Sequence, residues 1–467
     1  MAQEKSAGQL LQDKLLLNRK QIGMGEDGGL LQAAADFCEP YKAFLDDCKT
    51  EREAVSRVVA LVEREGYRPF DPAGDWKPGD RFYLNNRGKA LILCTLGSRP
   101  LSDGVRILAS HIDSPRLDLK PNPLYEDAEL ALFKTHYYGG IKKYQWGAIP
   151  LALHGVICKK DGETITVAIG EGPDDPVFCV TDLLPHLAQE QMKRPLKEGL
   201  KGEELNILIG SHPFKDDKAS ERVKLNVMRL LNEKYGIVES DFLSAELTMV
   251  PAFRAKDLGL DRSMIGAYGH DDRVCAYTSL RAALEVEKPE YTTVTVFADK
   301  EETGSDGNTG LNSRFFAYFI EDLAALQHLT GRAVLSKSTC LSADVNAAYD
   351  PTFGDTLEKR NCAYLNYGVV VTQYTGSGGK GGTSQASAEF MAEVRRVLDG
   401  AGVAWQTGEL GKVDLGGGGT VAKYVAALNV DVVDVGVPVL SMHAPFEVVA
   451  KNDVYATYQA FKAYLEA

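Results

Sequence analysis

Apolar residues recur in two rhythms along this chain. At 50–65 they return every three or four positions, as Val55, Val58, Val59 and Val62, and Gly66 comes next as a stop. That spacing predicts an amphipathic helix. The same rhythm appears in Val274, Tyr277, Leu280 and Leu284, in Phe390, Val394 and Val397, and in Val454, Tyr458, Phe461 and Leu465. Short apolar runs lie at 105–110, 293–298, 341–343, 368–372 and 437–442. These predict buried strands, several of them followed by a helix pattern. Strand-then-helix alternation predicts an α/β fold, a mixed sheet covered by helices on both faces.

From 116 to about 252 the text changes. Two short strands are predicted at 151–158 and 164–169, a charged, glycine-containing loop at 193–204, and a helix at 219–235. This block reads as a separate, mostly β unit inserted into the α/β domain. The expected division is 1–116 and 252–467 for the α/β part and 117–251 for the insert. Residues 1–29 read as an arm or a loosely docked helix, and no repeat of fixed period is visible.

Composition narrows the function classes. The chain has 467 residues, of which 44% are apolar and 25% charged, enough for a large core. Its 52 Lys+Arg and 65 Asp+Glu give a net charge of −13, which argues against a broad nucleic-acid surface. No apolar run approaches the roughly 18–20 residues of a membrane-spanning helix. The first twenty residues carry no apolar signal segment. The eight cysteines form no C-x-x-C pair, so a zinc ribbon is excluded and a reducing cytoplasm is the expected location.

Candidate chemistry gathers where strands end. His111-Ile112-Asp113 follows the first strong strand, a place where open α/β sheets bind ligands. His270-Asp271-Asp272 opens a predicted helix, and one Asp there is ordinary capping. Glu301-Glu302-Thr303-Gly304 follows the strand at 293–298. Charged loops are common, yet adjacent glutamates can divide labour, one binding a metal while the other takes a proton from water. Asp344 and His443 end two further short strands. Each residue alone has a structural explanation. The coincidence of His111, Asp271, Glu302, Asp344 and His443 predicts a pair of divalent ions, zinc first, with cobalt or manganese as alternatives.

Two glycine-rich loops compete for attention. Gly376-Ser377-Gly378-Gly379-Lys380-Gly381 matches G-x-G-x-x-G between a strand and a helix, which keeps a nicotinamide-dependent oxidoreductase as the rival reading. Against it, the residues before the loop are polar and the helix starts late. A loop that brings backbone and Lys380 to a substrate fits better. The run 416–419, with Gly417 and Gly418 at its centre, is a second such loop, suited to an anionic group or a plain flexible turn. A third reading is a non-catalytic assembly protein with a degenerate site.

With these motifs in order, the chain resembles the aspartyl aminopeptidase family of dinuclear zinc exopeptidases. The likeness runs through Tyr41-Lys42-Ala43-Phe44-Leu45, Lys49-Thr50-Glu51-Arg52-Glu53, His111-Ile112-Asp113-Ser114-Pro115, Glu301-Glu302-Thr303-Gly304-Ser305, Ser342-Ala343-Asp344 and Ser441-Met442-His443. The resemblance implies hydrolysis of the N-terminal peptide bond of peptides, with a family preference for acidic first residues. It implies His111 and Asp344 on one ion, Glu302 and His443 on the other, Asp271 bridging, Glu301 as general base and Asp113 orienting His111. It also implies that the insert is a dimerisation domain, that dimers build a homo-dodecamer, and that His186 reaches a partner's active site. Three features depart from the family pattern. Gly269-His270-Asp271-Asp272 stands for its Arg-Leu-Asp-Asn, the histidines often found after Ser-Ala-Asp are replaced around Asn346 and Asp350, and Thr372 or Gln373 stands where a lysine is expected.

Overall fold

The computed structural model describes residues 5–17, 19–24 and 28–467. Its centre is a nine-stranded mixed sheet. Four parallel strands form the middle, in the order Thr292–Ala298, Val105–His111, Thr339–Ser342 and Asp431–Gly436. Antiparallel strands Ala90–Thr95 and Val369–Thr372 flank them. Successive side chains of a strand point to opposite faces, and here both faces are apolar. Leu108 and Phe297 join one core with helices Gly29–Asp47, Glu51–Arg64, His270–Glu285, Ala388–Gly400 and Lys451–Glu466. Ile107, Ala109, Val294 and Val296 join a second core with helices Phe315–Ala325, Gly331–Leu335 and Ala422–Ala426.

The predicted helix at 50–65 is Glu51–Arg64, opened by a Thr50–Glu53 capping box. Other boundaries shift by a few residues. The run at 437–442 needs a larger correction. The central strand is Asp431–Gly436, and Pro438–Leu440 belongs instead to a separate five-stranded sheet. Buried Asp434 makes the true strand look polar, but it accepts a 2.8 Å hydrogen bond from Thr420 Oγ1. Gly436 then passes so close to the Asp344 carbonyl that a Cβ there would collide with it.

Residues 116–251 build their own seven-stranded sheet, every pairing antiparallel. Its long hairpin Arg116–Asp127 and Leu130–Tyr138 is missing from the sequence expectation, because alternating burial and two prolines interrupt the apolar run. A third core, including Leu117, Phe133, Trp146, Leu153 and Met249, lies under this sheet. Near the N-terminus, helix Ala7–Leu15 buries none of its residues, as an arm would; residues 1–4, 18 and 25–27 of that expected arm lie outside the described residues.

Candidate metal centre

Three parallel neighbours deliver most of the site to one edge. His111 ends its strand, Asp344 lies just past Thr339–Ser342, and Glu301 and Glu302 follow Thr292–Ala298 in a tight turn. Asp271 stands at the start of helix His270–Glu285, where the backbone departs from helical geometry. His443 arrives from the five-stranded sheet, after Pro438–Leu440.

All five predicted ligands meet. His111 Nε2 lies 3.2 Å from Asp271 Oδ1 and 3.8 Å from Asp344 Oδ1. His443 Nε2 lies 3.1 Å from Asp271 Oδ2 and 3.6 Å from Glu302 Oε2. Three triads keep their ligand atoms within 4.8 Å of one another: His111, Asp271 and Asp344; Asp271, Glu302 and His443; and His111, Glu301 and Glu302. Asp271 touches both histidines, one with each oxygen.

The hydrogen-bond pattern says what these atoms are free to do. His111 Nδ1 sits 3.0 Å from the Asp113 carbonyl and His443 Nδ1 sits 2.9 Å from the Gly140 carbonyl. Each Nδ1–H therefore donates to a carbonyl, and each Nε2 is turned toward the carboxylates. Asp271 Oδ1 and Glu302 Oε1 are buried without a hydrogen-bond partner among the described residues. Unpaired buried acceptors are costly. Imidazole and carboxylate donors that converge without satisfying one another fit first-row divalent cations.

Charge points the same way. Asp113, Asp271, Glu301, Glu302 and Asp344 crowd two imidazoles. Burial, with the charge of Asp271 next, drives Glu302 well above the usual carboxylate range; burial and Asp272 do the same to Asp344. Burial pushes Glu301 up to about 7 despite the nearby His111. His443 is pushed up to about 11: burial opposes its charge, but Asp271 and Glu302 outweigh burial. A cation placed among these groups would relieve that repulsion. The centre opens on the His443 side, where the side chain is 35% exposed against 1% for His111.

Asp113 is buried behind His111 and accepts from the Glu301 and Glu302 backbone N–H groups, each at 3.1 Å. Tyr138 O–H donates to it at 2.7 Å, and the Tyr138 ring stacks under the Arg116 guanidinium at 4.2 Å. Tyr138 and Gly140 come from the insert, so one chain's insert borders its own site. Sequence reasoning missed Tyr138, Gly140 and Glu447. Their only signals in the sequence are a Tyr-Gly-Gly turn after a strand and a lone glutamate four residues past His443.

The remaining candidates lie elsewhere. His186 is exposed on the insert. Lys380 Nζ lies 3.8 Å from the Tyr374 ring centre and lines a cavity of about 330 Å³ with Glu409 and Lys412; none of the five predicted ligands lines it. Gly417 is pressed against Gly376 and Ser377, and Gly418 N–H donates to the Thr375 carbonyl at 2.9 Å. The two glycine loops pack on each other, which is a reason for glycine that needs no bound anion. The oxidoreductase reading fails here: helix Ala388–Gly400 starts well after Gly381, so no loop glycine packs at its N-terminus.

Comparison with known proteins supplies the frame. Residues 44–465 match the model of the aminopeptidase I zinc metalloprotease (M18) family. A probable M18 family aminopeptidase 1 from Clostridium acetobutylicum is 51% identical over 433 residues, covering 91% of this chain and 93% of the relative. The crystal structure of an M18 aminopeptidase from Thermotoga maritima superposes with a TM-score of 0.92 at 44% identity, covering 96% of this chain and 99% of that one. The mApe1 dodecamer of S. cerevisiae, 20% identical with a TM-score of 0.74 over 93% of this chain and 96% of that one, shares the fold.

Proposed function

The chain belongs to the M18 family of zinc metalloprotease aminopeptidases, and from that premise we propose a dinuclear centre with a glutamate base. His111 and Asp344 would hold one divalent ion and Glu302 and His443 the other, with Asp271 within reach of both sets. The observation that carries this reading is the pair of Nε2 atoms turned toward Asp271, one on each of its oxygens. Ions bound there would polarise the scissile carbonyl and acidify water at neutral pH. Glu301 would take a proton from the attacking water and return it to the leaving amine. Glu302 or Asp344 receives the substrate's α-amine.

Release of free amino acids from a peptide library, with and without chelator, tests the reaction. Release that survives complete removal of metal would overturn it. The same library reads the first-residue preference. An acidic preference would show as Asp and Glu released first. At the positions where the family has its lysine, Thr372 accepts from Asn346 Nδ2 at 2.9 Å, and Gln373 Nε2 donates to the Ala386 carbonyl at 3.2 Å.

The insert is the proposed subunit contact. Leu183, Leu184 and Leu187 flank His186 and are 51–68% exposed. Such a patch suits burial against another copy, in homo-oligomers built from dimers up to a dodecamer. His186 then serves a neighbour's site. Mixing Glu301→Gln with His186→Ala under subunit exchange should restore part of the lost activity; no recovery would leave His186 structural. The eight cysteines, none of them bridged, fit a cytoplasmic home.

A further inference from the structure

We propose that Glu447 is a positioning residue that sets the affinity of the centre for metal by holding two of its ligands through their backbones. Strand Glu447–Ala450 pairs antiparallel with Met264–Ala267, with Ala267 opposite Glu447. Because the strands run in opposite directions, the chain enters one at the same end where it leaves the other. His443 sits just before that entry and Asp271 just after that exit. The Glu447 carboxylate fills the gap. Oε1 accepts the His443 N–H at 2.7 Å and Oε2 accepts the Asp271 N–H at 3.0 Å. The side chain is 1% exposed, so water cannot take over either bond.

One carboxylate therefore ties together two loops that would otherwise move apart. The two ligands it fixes are the one reaching both histidines and the one on the open, solvent-facing side of the centre. His111 is held differently: it pairs with Ala298 on one side, and its N–H donates to Asp272 Oδ2 at 3.3 Å. An amide cannot replace this carboxylate. Glutamine offers one acceptor oxygen, and its NH₂ would face a second N–H donor.

The proposal rests on Asp271 and His443 being ligands, and its test separates the two claims. Metal titration of chelator-stripped protein should give two sites in the unaltered chain; failure there overturns the ligand assignment, not the clamp. Glu447→Gln should then weaken the His443-side ion about 10–100-fold, the range for residues that orient metal ligands. Turnover should return toward normal at saturating metal. The control is Asp453→Asn. Asp453 is a second buried carboxylate that accepts two backbone N–H groups, of Asn366 and Gly368, at 2.6 and 2.7 Å, but these carry no ligand. It should lower the unfolding midpoint and leave metal affinity unchanged. Unchanged affinity in Glu447→Gln, or an equal loss in both variants, would overturn the proposal. If Glu447→Gln does not fold, Glu447→Asp carries the same comparison, with both oxygens kept but drawn back by one methylene.

Discussion

Two buried clusters in this molecule are built from the same parts. At one, His111 and His443 meet carboxylates at the edge of the central sheet. At the other, His154 of strand Leu151–Cys158 lies between Glu53 and Glu171, at 2.7 and 3.0 Å. Both clusters combine histidine with acid under burial. They differ in the state of their atoms. Both ring nitrogens of His154 are bonded to carboxylates, so the ring is a satisfied cation joining helix Glu51–Arg64 to the insert. At the other cluster each ring spends one nitrogen on a carbonyl and turns the other toward Asp271, whose Oδ1 has no hydrogen-bond partner among the described residues. Residue type does not distinguish a binding site from a structural ion pair. The accounting of hydrogen bonds does.

The largest expected effect comes from Glu301→Gln. The substitution removes a proton acceptor and keeps the shape. Turnover should fall about 10²–10⁴-fold with the metal content intact, checked by elemental analysis beside steady-state kinetics. Because Glu301 also stands within ligand range of His111 and Glu302, loss of an ion in this variant would make it a ligand instead of the base.

The second pair of variants sets the clusters against each other. His154→Ala leaves Glu53 and Glu171, 22% and 24% exposed, facing one another without the imidazolium, and should cost less than the roughly 3–5 kcal/mol of a fully buried broken pair. Urea unfolding should show the loss while both metal sites persist. His443→Ala should do the reverse, losing one ion while the chelator-stripped protein unfolds close to the normal midpoint. If both variants lost stability and neither lost metal, the two clusters would be equivalent and the distinction would collapse.

Titration sharpens the same contrast. Burial opposes charge on His154, but the hydrogen bonds of Glu171 and Glu53 raise it from 6.5 to about 9. A raised folded value stabilises fully below the unfolded value of 6.5, and that support disappears as pH rises through about 9. Glu53 runs oppositely: burial raises it, His154 outweighs burial, and its folded value lies below 4.5. Its support is present above 4.5 and is lost as pH falls. The stability advantage of the unaltered chain over His154→Ala, in chelator-stripped protein, should therefore shrink as pH rises from 6.5 to about 9, and again in acid below 4.5. A constant difference across that range would mean His154 is neutral.

The parts of the molecule differ in how legible they are in the sequence, because each leaves a different kind of signal. Strand ends and acidic turns are local, so His111, Glu301, Glu302 and Asp344 could be read from an apolar run and the polar residues just after it. Asp271 needed the neighbouring His and Asp to stand out from ordinary helix capping. The run before His443 reads as a central strand, whereas Pro438–Leu440 lies in another sheet. Glu447 and Tyr138 act through backbone N–H groups and a distant carboxylate. No spacing rule announces that. The glycine loops show the opposite failure, in which a strong motif reports close packing of backbone on backbone.

The smallest effect tests how far the insert reaches into the centre. Gly140 follows strand Leu130–Tyr138, and its carbonyl receives the His443 Nδ1–H bond. A Cβ at 140 would stand 3.3 Å from His443 Nδ1, close enough to require a shift of a few tenths of an ångström. Gly140 is not among the residues with positive φ, so Ala can take the backbone without strain and the crowding alone is tested. Displacement of a catalytic group by about 1 Å can cost 10²-fold, so this smaller shift in Gly140→Ala should cost about three- to tenfold in activity. The loss should come with weaker binding of one ion and an unchanged unfolding midpoint. His154, held by two carboxylates and no backbone carbonyl, has no such lever. Should Gly140→Ala match the unaltered chain in metal affinity and turnover, the insert would touch the centre without tuning it, and His443 would owe its placement to Glu447 and its own strand.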